Sequence, residues 1–288
     1  MANLKDVKRR IESTKKTSQI TKAMYMVSNS KVRRSEKNNN KYQDYIKLFN
    51  DLVGVVINNV EGAKQSVYFQ GNKEKSKKCF LLITSDKGLA GSFNSNVFKN
   101  FENHLEENKI SKDDIIVVSI GKVGISYIER KGYNTIEDAN ILNRDEVVFN
   151  ELMDTTLQLI DLYLKNEISE INIIYNHYIN SISQSLIIQK LVPLDDVAST
   201  KDHISYIIEG NSRDLIHKII PMYLQNVVYG TILDSKTCEH SSRMQAMKQA
   251  TDNASEVIER FQILYNRARQ EQITKELIDI IGGSNVVK

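Results

Sequence analysis

The chain has 288 residues, of which 41% are hydrophobic and 26% charged, with a formal net charge of +3, two prolines and no tryptophan. That content supplies a sizeable core and does not fit a disordered or Pro-rich chain. The two cysteines, Cys79 and Cys238, belong to no CxxC pair, which argues against a disulfide framework or a zinc site. No apolar run approaches about 18 residues, and the start, Met1 to Asp6, lacks the apolar core of a leader, so a soluble cytosolic protein is expected.

The net charge hides an asymmetry. Residues 1–41 hold twelve Lys/Arg against Asp6, Glu12 and Glu36, a net of +9, and the remaining 27 basic and 33 acidic residues give −6. A basic helix facing an acidic partner fits this pattern, and so does a solvated face.

No Gly or Pro interrupts Met1 to Val53, so a long helix is expected there. Leu4, Val7, Ile11, Thr14, Ser18, Thr21, Tyr25, Ser28 and Val32 step by three and four along it, the spacing of a coiled-coil seam. The middle of that row is small and polar, so its partner must approach closely. Ile20, Met24 and Val27 form an adjacent apolar row, and Tyr45, Phe49, Leu52, Val53 and Val56 a broader face suited to packing on a globular body.

The middle alternates strands with helices. Lys78 to Thr84 and Asp114 to Ile120 are apolar runs of the kind buried on both faces. Helical spacing follows at Asn94 to Glu107, Gly121 to Lys131 and Glu146 to Leu164, and further strands at Ile171–Tyr178 and Ser185–Pro193. The pattern predicts a small Rossmann-like α/β domain at 77–195, flanked by polar connectors at 64–78 and 195–202.

No Gly or Pro occurs from Thr231 to Ile281, which predicts a second long helix within 208–288 that pairs with 1–60. Met247, Ala250, Ala254, Val257, Phe261, Leu264 and Ala268 are its expected seam, with alanines that let two backbones come near each other. Gly282-Gly283 is expected to end it, and Pro221 to sit in its first turn after a short helix capped near Ser212. Joined to one body by opposite ends, the two helices must run antiparallel. At 50–60 residues each they span about 75–90 Å, more than twice the roughly 30 Å of a body of this size. The fold class is therefore α/β, a long antiparallel coiled coil of the terminal helices plus a small Rossmann-like domain. Ile280, Ile281, Val286 and Val287 would leave an apolar tip that something should enclose.

Motifs for chemistry are weak. Ser85 to Asn94 lies between a strand and a helix, where phosphate loops occur, but lacks the GxxxxGK[ST] spacing; a tight turn with Ser or Asn capping the next helix is the simpler reading. Gly121-Lys-Val-Gly124 is half of a dinucleotide fingerprint, which is weak evidence for a nucleotide, and a strand-to-helix turn is the simpler reading. The histidines at 104, 177, 203, 217 and 240 form no ligand pair, and His177 reads as a structural residue of a strand. No catalytic residue, cofactor or metal site is expected. Two other functions remain open from the residues alone: a nucleic-acid binder using the basic first helix, and a nucleotide-binding α/β protein with helical arms.

Three runs carry a resemblance: Lys8 to Ser28 (KRRIESTKKTSQITKAMYMVS), Thr84 to Asn94 (TSDKGLAGSFN), and the C-terminal stretches Glu239–Ala254 and Tyr265–Gly283. In these the chain resembles the gamma-subunit family of the F-type ATP synthase; between Glu106 and Leu224 the likeness is one of layout. The resemblance implies a non-catalytic rotor at the cytoplasmic face of a bacterial membrane, held there through its complex. The helical pair would sit inside a ring of alpha and beta subunits, and the globular end would meet the epsilon subunit and the membrane c ring. It implies no cofactor and no nucleic-acid partner. Partner contacts are implied for Met24 against beta, for Arg269, Gln270 and Thr274 gripping loops of the ring, for the basic row including Arg9, Arg10 and Lys22 facing acidic beta residues, and for Ile280 and Ile281 at the tip. Ala90 stands where many members have cysteine, and the paired-cysteine insertion of the chloroplast form is absent, which together imply no thiol regulation.

Overall fold

A computed structural model describes residues 4–60, 62–71, 77–144, 149–194 and 212–286. The elements are α1 (Leu4–Asn59), a one-turn α2 (Val67–Gln70), β1 (Lys77–Ile83), α3 (Phe93–Glu107), β2 (Ile115–Ile120), α4 (Lys122–Lys131), α5 (Phe149–Leu164), β3 (Ile168–Tyr178), β4 (Gln184–Val192) and α6 (Ser212–Val286). The chain divides into two compact units, Met1–Asn29 with Arg243–Lys288, and Ser30–Ser242. The division falls within α1 and α6 and not at the connectors, because the inner ends of both helices contribute to the core of the second unit.

That second unit is built on a four-stranded sheet of order β2-β1-β3-β4. β1 runs parallel to both neighbours, with Leu81 beside Val118 on one side and Ile173 on the other. β4 returns antiparallel to β3, because only residues 179–183 separate the two strands and no crossover fits in so short a link. Side chains on β1 alternate between two cores. Cys79, Leu81 and Ile83 pack with Val53 and Ile57 of α1, Leu152 and Ile160 of α5, and Leu224 and Val228 of α6. Phe80 and Leu82 pack with Val97 and Phe101 of α3 and Tyr127 and Ile128 of α4. Covered on both faces, the strand has no polar side, which is why it reads as a continuous apolar run.

Several boundaries differ from the sequence expectation. α6 is one helix of 75 residues with Pro221 inside it, not in a first turn. Proline removes one backbone donor at a cost of about 3 kcal/mol. Burial of Ile216, Ile220, Leu224, Val228 and Ile232 along one face of the helix offsets it. The same helix runs through Gly282-Gly283 to Val286, since glycine weakens a helix without forbidding it. Between Ala63 and Gln70 the expected polar connector folds into a short 3-10 turn and α2, with Tyr68 buried and its carbonyl accepting the Leu194 N–H. Tyr45 and Leu52, expected on the packed face of α1, are exposed, and the buried positions there are Val53, Val56 and Ile57. Residues 72–76, 145–148 and 195–211 lie outside the described residues, as does Val287, so parts of both connectors and the start expected at Glu146 are not placed.

Candidate functional site

In the first unit two contacts set direction and register. The Thr21 and Thr251 hydroxyls lie 2.8 Å apart, and the Arg10 guanidinium sits 5.8 Å from the centre of the Phe261 ring. As α1 advances from Arg10 to Thr21, its partner on α6 retreats from Phe261 to Thr251, so the helices are antiparallel and paired residue numbers add to 271 or 272.

This register accounts for the burial pattern. Leu4, Val7, Ile11, Thr14, Ser18, Thr21, Tyr25 and Ser28 on α1 are all buried or half-buried, and Val32 is buried in the second unit. On α6 the less exposed positions are Met247, Ala250, Thr251, Ala254, Ile258, Phe261, Tyr265 and Ala268. Val257 and Leu264, expected in the seam, are instead 37% and 51% exposed. The register places Ile258 opposite Thr14 and Tyr265 opposite Val7, which turns Val257 and Leu264 outward. Ser18 falls opposite Ala254, two small residues where close approach is needed.

Among the described residues α1 starts at Leu4, which this register places opposite Ala268 of α6. Every described side chain from Arg269 to Ile281 is exposed, including Arg269, Gln270 and Thr274. The Thr274 hydroxyl donates to the Gln270 carbonyl at 2.9 Å, and Arg267 pairs with Glu271 at 3.2 Å, so the surface is internally ordered. Ile273, Leu277, Ile278, Ile280 and Ile281 add an apolar stripe that stands in solvent, with Ile280 at 68% and Ile281 at 62% exposure. On α1, Arg9 is exposed 3.5 Å from Asp6, Arg10 and Lys22 are exposed, and Met24 is half-buried between the exposed Ile20 and Val27.

The second unit answers the question of a nucleotide site. In sheets of this order, ligands bind outside the carboxyl ends of the strands where the connections change direction, here between β1 and β3. The chain fills that position itself. α6 carries a run from Asp234 to Ser241 in which every residue is buried. The Asp234 carboxylate accepts from the Tyr178 N–H at 3.2 Å and the Asn39 amide at 3.1 Å, and pairs with His177 Nδ1 at 2.5 Å. The Cys238 thiol donates to the Asn176 carbonyl at 3.2 Å, and the Ser241 hydroxyl to the Ser181 carbonyl at 2.8 Å. Ala90 and Phe93 pack on Cys238, with Tyr178 beside them. Burial pushes the Cys238 thiol well above its ordinary pKa, so it is an inert donor and no nucleophile. Burial likewise raises Asp234, against the opposing pull of His177 and its hydrogen bonds.

The loop after β1 is closed in the same way. The Ser85 N–H donates to Asn94 Oδ1 at 3.0 Å, the Asn94 amide returns to the Ser85 hydroxyl at 2.8 Å, and that hydroxyl donates to the Lys87 carbonyl. Asp86 Oδ1 accepts from the Lys122 N–H at 2.9 Å and the Asn143 N–H at 2.8 Å. The N-terminus of α4, the natural seat of a phosphate, thus holds the protein's own carboxylate. Gly121 and Gly124 serve packing: a Cβ on Gly121, at φ +118°, would lie 2.3 Å from the Thr84 carbonyl oxygen, and one on Gly124 would lie 2.0 Å from the Ser119 hydroxyl. His177 is the structural residue expected of it, tied to Asp234. The burial of this polar run of α6 was not expected from the sequence, although Glu239 to Ser241 belong to a stretch that carries the resemblance. Its signal is the cluster of small side chains Ser235, Thr237, Cys238 and Ser241, which lets neighbours approach one helix from several sides.

Known proteins point the same way. A family model described as ATP synthase matches residues 3–287. An ATP synthase gamma chain of Staphylococcus saprophyticus is 39% identical over 287 residues, which is 99% of each chain. Among solved structures, the central stalk and c-ring of the Tetrahymena thermophila mitochondrial ATP synthase matches with a TM-score of 0.61 at 24% identity, over 80% of this chain and 99% of that one. A chain of the Euglena gracilis mitochondrial ATP synthase, in its OSCP/F1/c-ring assembly in rotational state 3, matches with a TM-score of 0.67 at 19% identity, over 99% and 94% of the two chains. At these identities the structural likeness speaks for the fold.

Proposed function

The chain belongs to the ATP synthase gamma-chain family, whose members are non-catalytic subunits of the complex, and from that premise we propose that it is the rotor which couples c-ring rotation to conformational cycling of the catalytic beta subunits. The observation that carries the reading is the end of α6. From Arg269 to Ile281 the described side chains of the helix are exposed, polar groups beside an apolar stripe. Such a stripe is stable in water only when enclosed, and a ring of alpha and beta subunits supplies the enclosure. Arg269, Gln270 and Thr274 then grip loops of that ring, Ile280 and Ile281 seat the tip, and Met24 with the basic row of Arg9, Arg10 and Lys22 faces beta. Contacts that differ around the helical pair favour a different beta conformation at each angle, which is how a shaft without chemistry of its own drives a catalytic cycle.

The remaining partners are the epsilon subunit and the membrane c ring, met by the globular unit. Among the described residues no helix is long and apolar enough to cross a membrane. Association with the cytoplasmic face of a bacterial membrane is therefore peripheral, through the complex. A tagged chain recovered from native membranes tests the reading: co-recovery of alpha, beta, epsilon and c subunits with ATPase activity is expected, and recovery of the chain without them overturns it.

A further inference from the structure

Resting on the rotor reading, we propose that Lys236 is a positioning residue of rotary coupling: together with Asn143 and Glu239 it fixes the angular setting of α6 within the α/β body. Lys236 and Glu239 are 4% and 3% exposed, one turn apart, with Nζ 3.2 Å from Glu239 Oε2. Withdrawing two charges from water costs several kcal/mol each, and apolar residues of similar volume would pack there at least as stably. Stability alone therefore gives a weak account of this pair, whereas its placement gives a specific one.

Lys236 Nζ also donates to the Asn143 carbonyl at 2.5 Å. Asn143 is itself anchored twice. Its N–H donates to Asp86, which also holds the first N–H of α4, and its side-chain amide donates to the Thr84 carbonyl at the end of β1 at 2.6 Å. A continuous polar chain thus runs from α6 to the sheet and to α4. At about 100° per residue, Lys236 projects about 200° around α6 from Asp234, whereas Cys238 and Ser241 project within about 40° of it. Asp234, Cys238 and Ser241 bond to β3 and the hairpin that follows it. Directional bonds on one side of a helix resist its rolling less than bonds on both sides do, even where apolar packing surrounds it. A second anchor across the axis forms a couple, and Lys236 supplies it.

The test uses the whole complex in sealed vesicles and compares wild type, Lys236→Met, Lys236→Met with Glu239→Gln, and Lys236→Arg. ATP hydrolysis and ATP-driven proton uptake are read in the same preparation. Both Met variants should keep hydrolysis while proton uptake per ATP falls by about threefold or more, the scale of effect expected from loosening a coupling element. Lys236→Arg, which keeps charge and donor, should restore the ratio. A ratio unchanged in the double variant, or equal in the Arg and Met variants, overturns the proposal. If the Met variants do not enter the complex, Lys236→Gln, which has no charge to bury and keeps a donor, is read by the same criteria. A wild-type chain that fails to couple in this assay overturns the rotor reading instead, so the two failures are distinct.

Discussion

Thr21 and Thr251, 230 positions apart in sequence, face each other across the helical pair with their hydroxyl oxygens 2.8 Å apart, and each hydroxyl also reaches a carbonyl of its own helix, Ser18 and Met247 respectively. A hydroxyl that already has a partner within its helix loses little when the facing hydroxyl is removed. Thr251→Val should therefore lower the stability of the pair by about 1 kcal/mol or less, and Thr21→Val with Thr251→Val by less than the sum of the two single changes. Urea midpoints followed by helical circular dichroism check this, and an additive double variant would show that the hydroxyls do not interact.

The register separates two neighbouring apolar residues. Ile258 is half-buried against α1 and Val257 is exposed. Ile258→Asp should destabilise by about 2 kcal/mol, against about 0.5 kcal/mol for Val257→Asp. Thermal unfolding of the two variants side by side decides it, and the reverse order would restore the seam first expected from the sequence.

Arg269 and Thr274 stand on the exposed end of α6, away from any packed core. Arg269→Ala and Thr274→Ala should leave helicity and unfolding unchanged, because Ala is the better helix former. ATP turnover by the assembled complex should fall, by about tenfold for Arg269 if its grip on the ring is charge-assisted. Wild-type turnover in both would remove them from the grip.

Asp234 predicts a pH dependence with a definite sign. Burial holds its carboxyl above the ordinary 3.8, so between 3.8 and the raised value the folded chain binds more protons than the unfolded one. Its contribution to stability is complete below 3.8 and is lost as pH rises through the folded pKa. Asn at this position still accepts from Tyr178 and Asn39 and has nothing to ionise. The urea midpoint of Asp234→Asn should decline less than that of wild type as pH is raised across that window; parallel curves would contradict the assignment.

Much of the fold was legible because long-range order here follows local rules. The seam of α1 is readable from spacing alone, since Val7, Ile11 and Val32 stand out among polar neighbours. The seam of α6 is not. Val257 and Ile258 are both apolar, Leu264 and Tyr265 are both large, and the choice within each pair is made by the register with α1, which no single helix encodes. Pro221 misled for a related reason: local propensity carries one or a few kcal/mol, and packing of the helix around it overrides it, whereas at Gly282-Gly283 glycine lowers helix stability by about 1 kcal/mol each without ending the helix. The burial of the run from Asp234 to Ser241 stayed hidden because its polarity is that of a surface. Only the sheet ends that surround it make it interior.

Asp86 has a further consequence. Its carboxylate already occupies the helix end where a nucleotide's phosphate would dock, so this part of the chain carries a permanent internal surrogate for the ligand its architecture would otherwise invite. Fluctuations in cellular ATP and ADP find no receptor at that position.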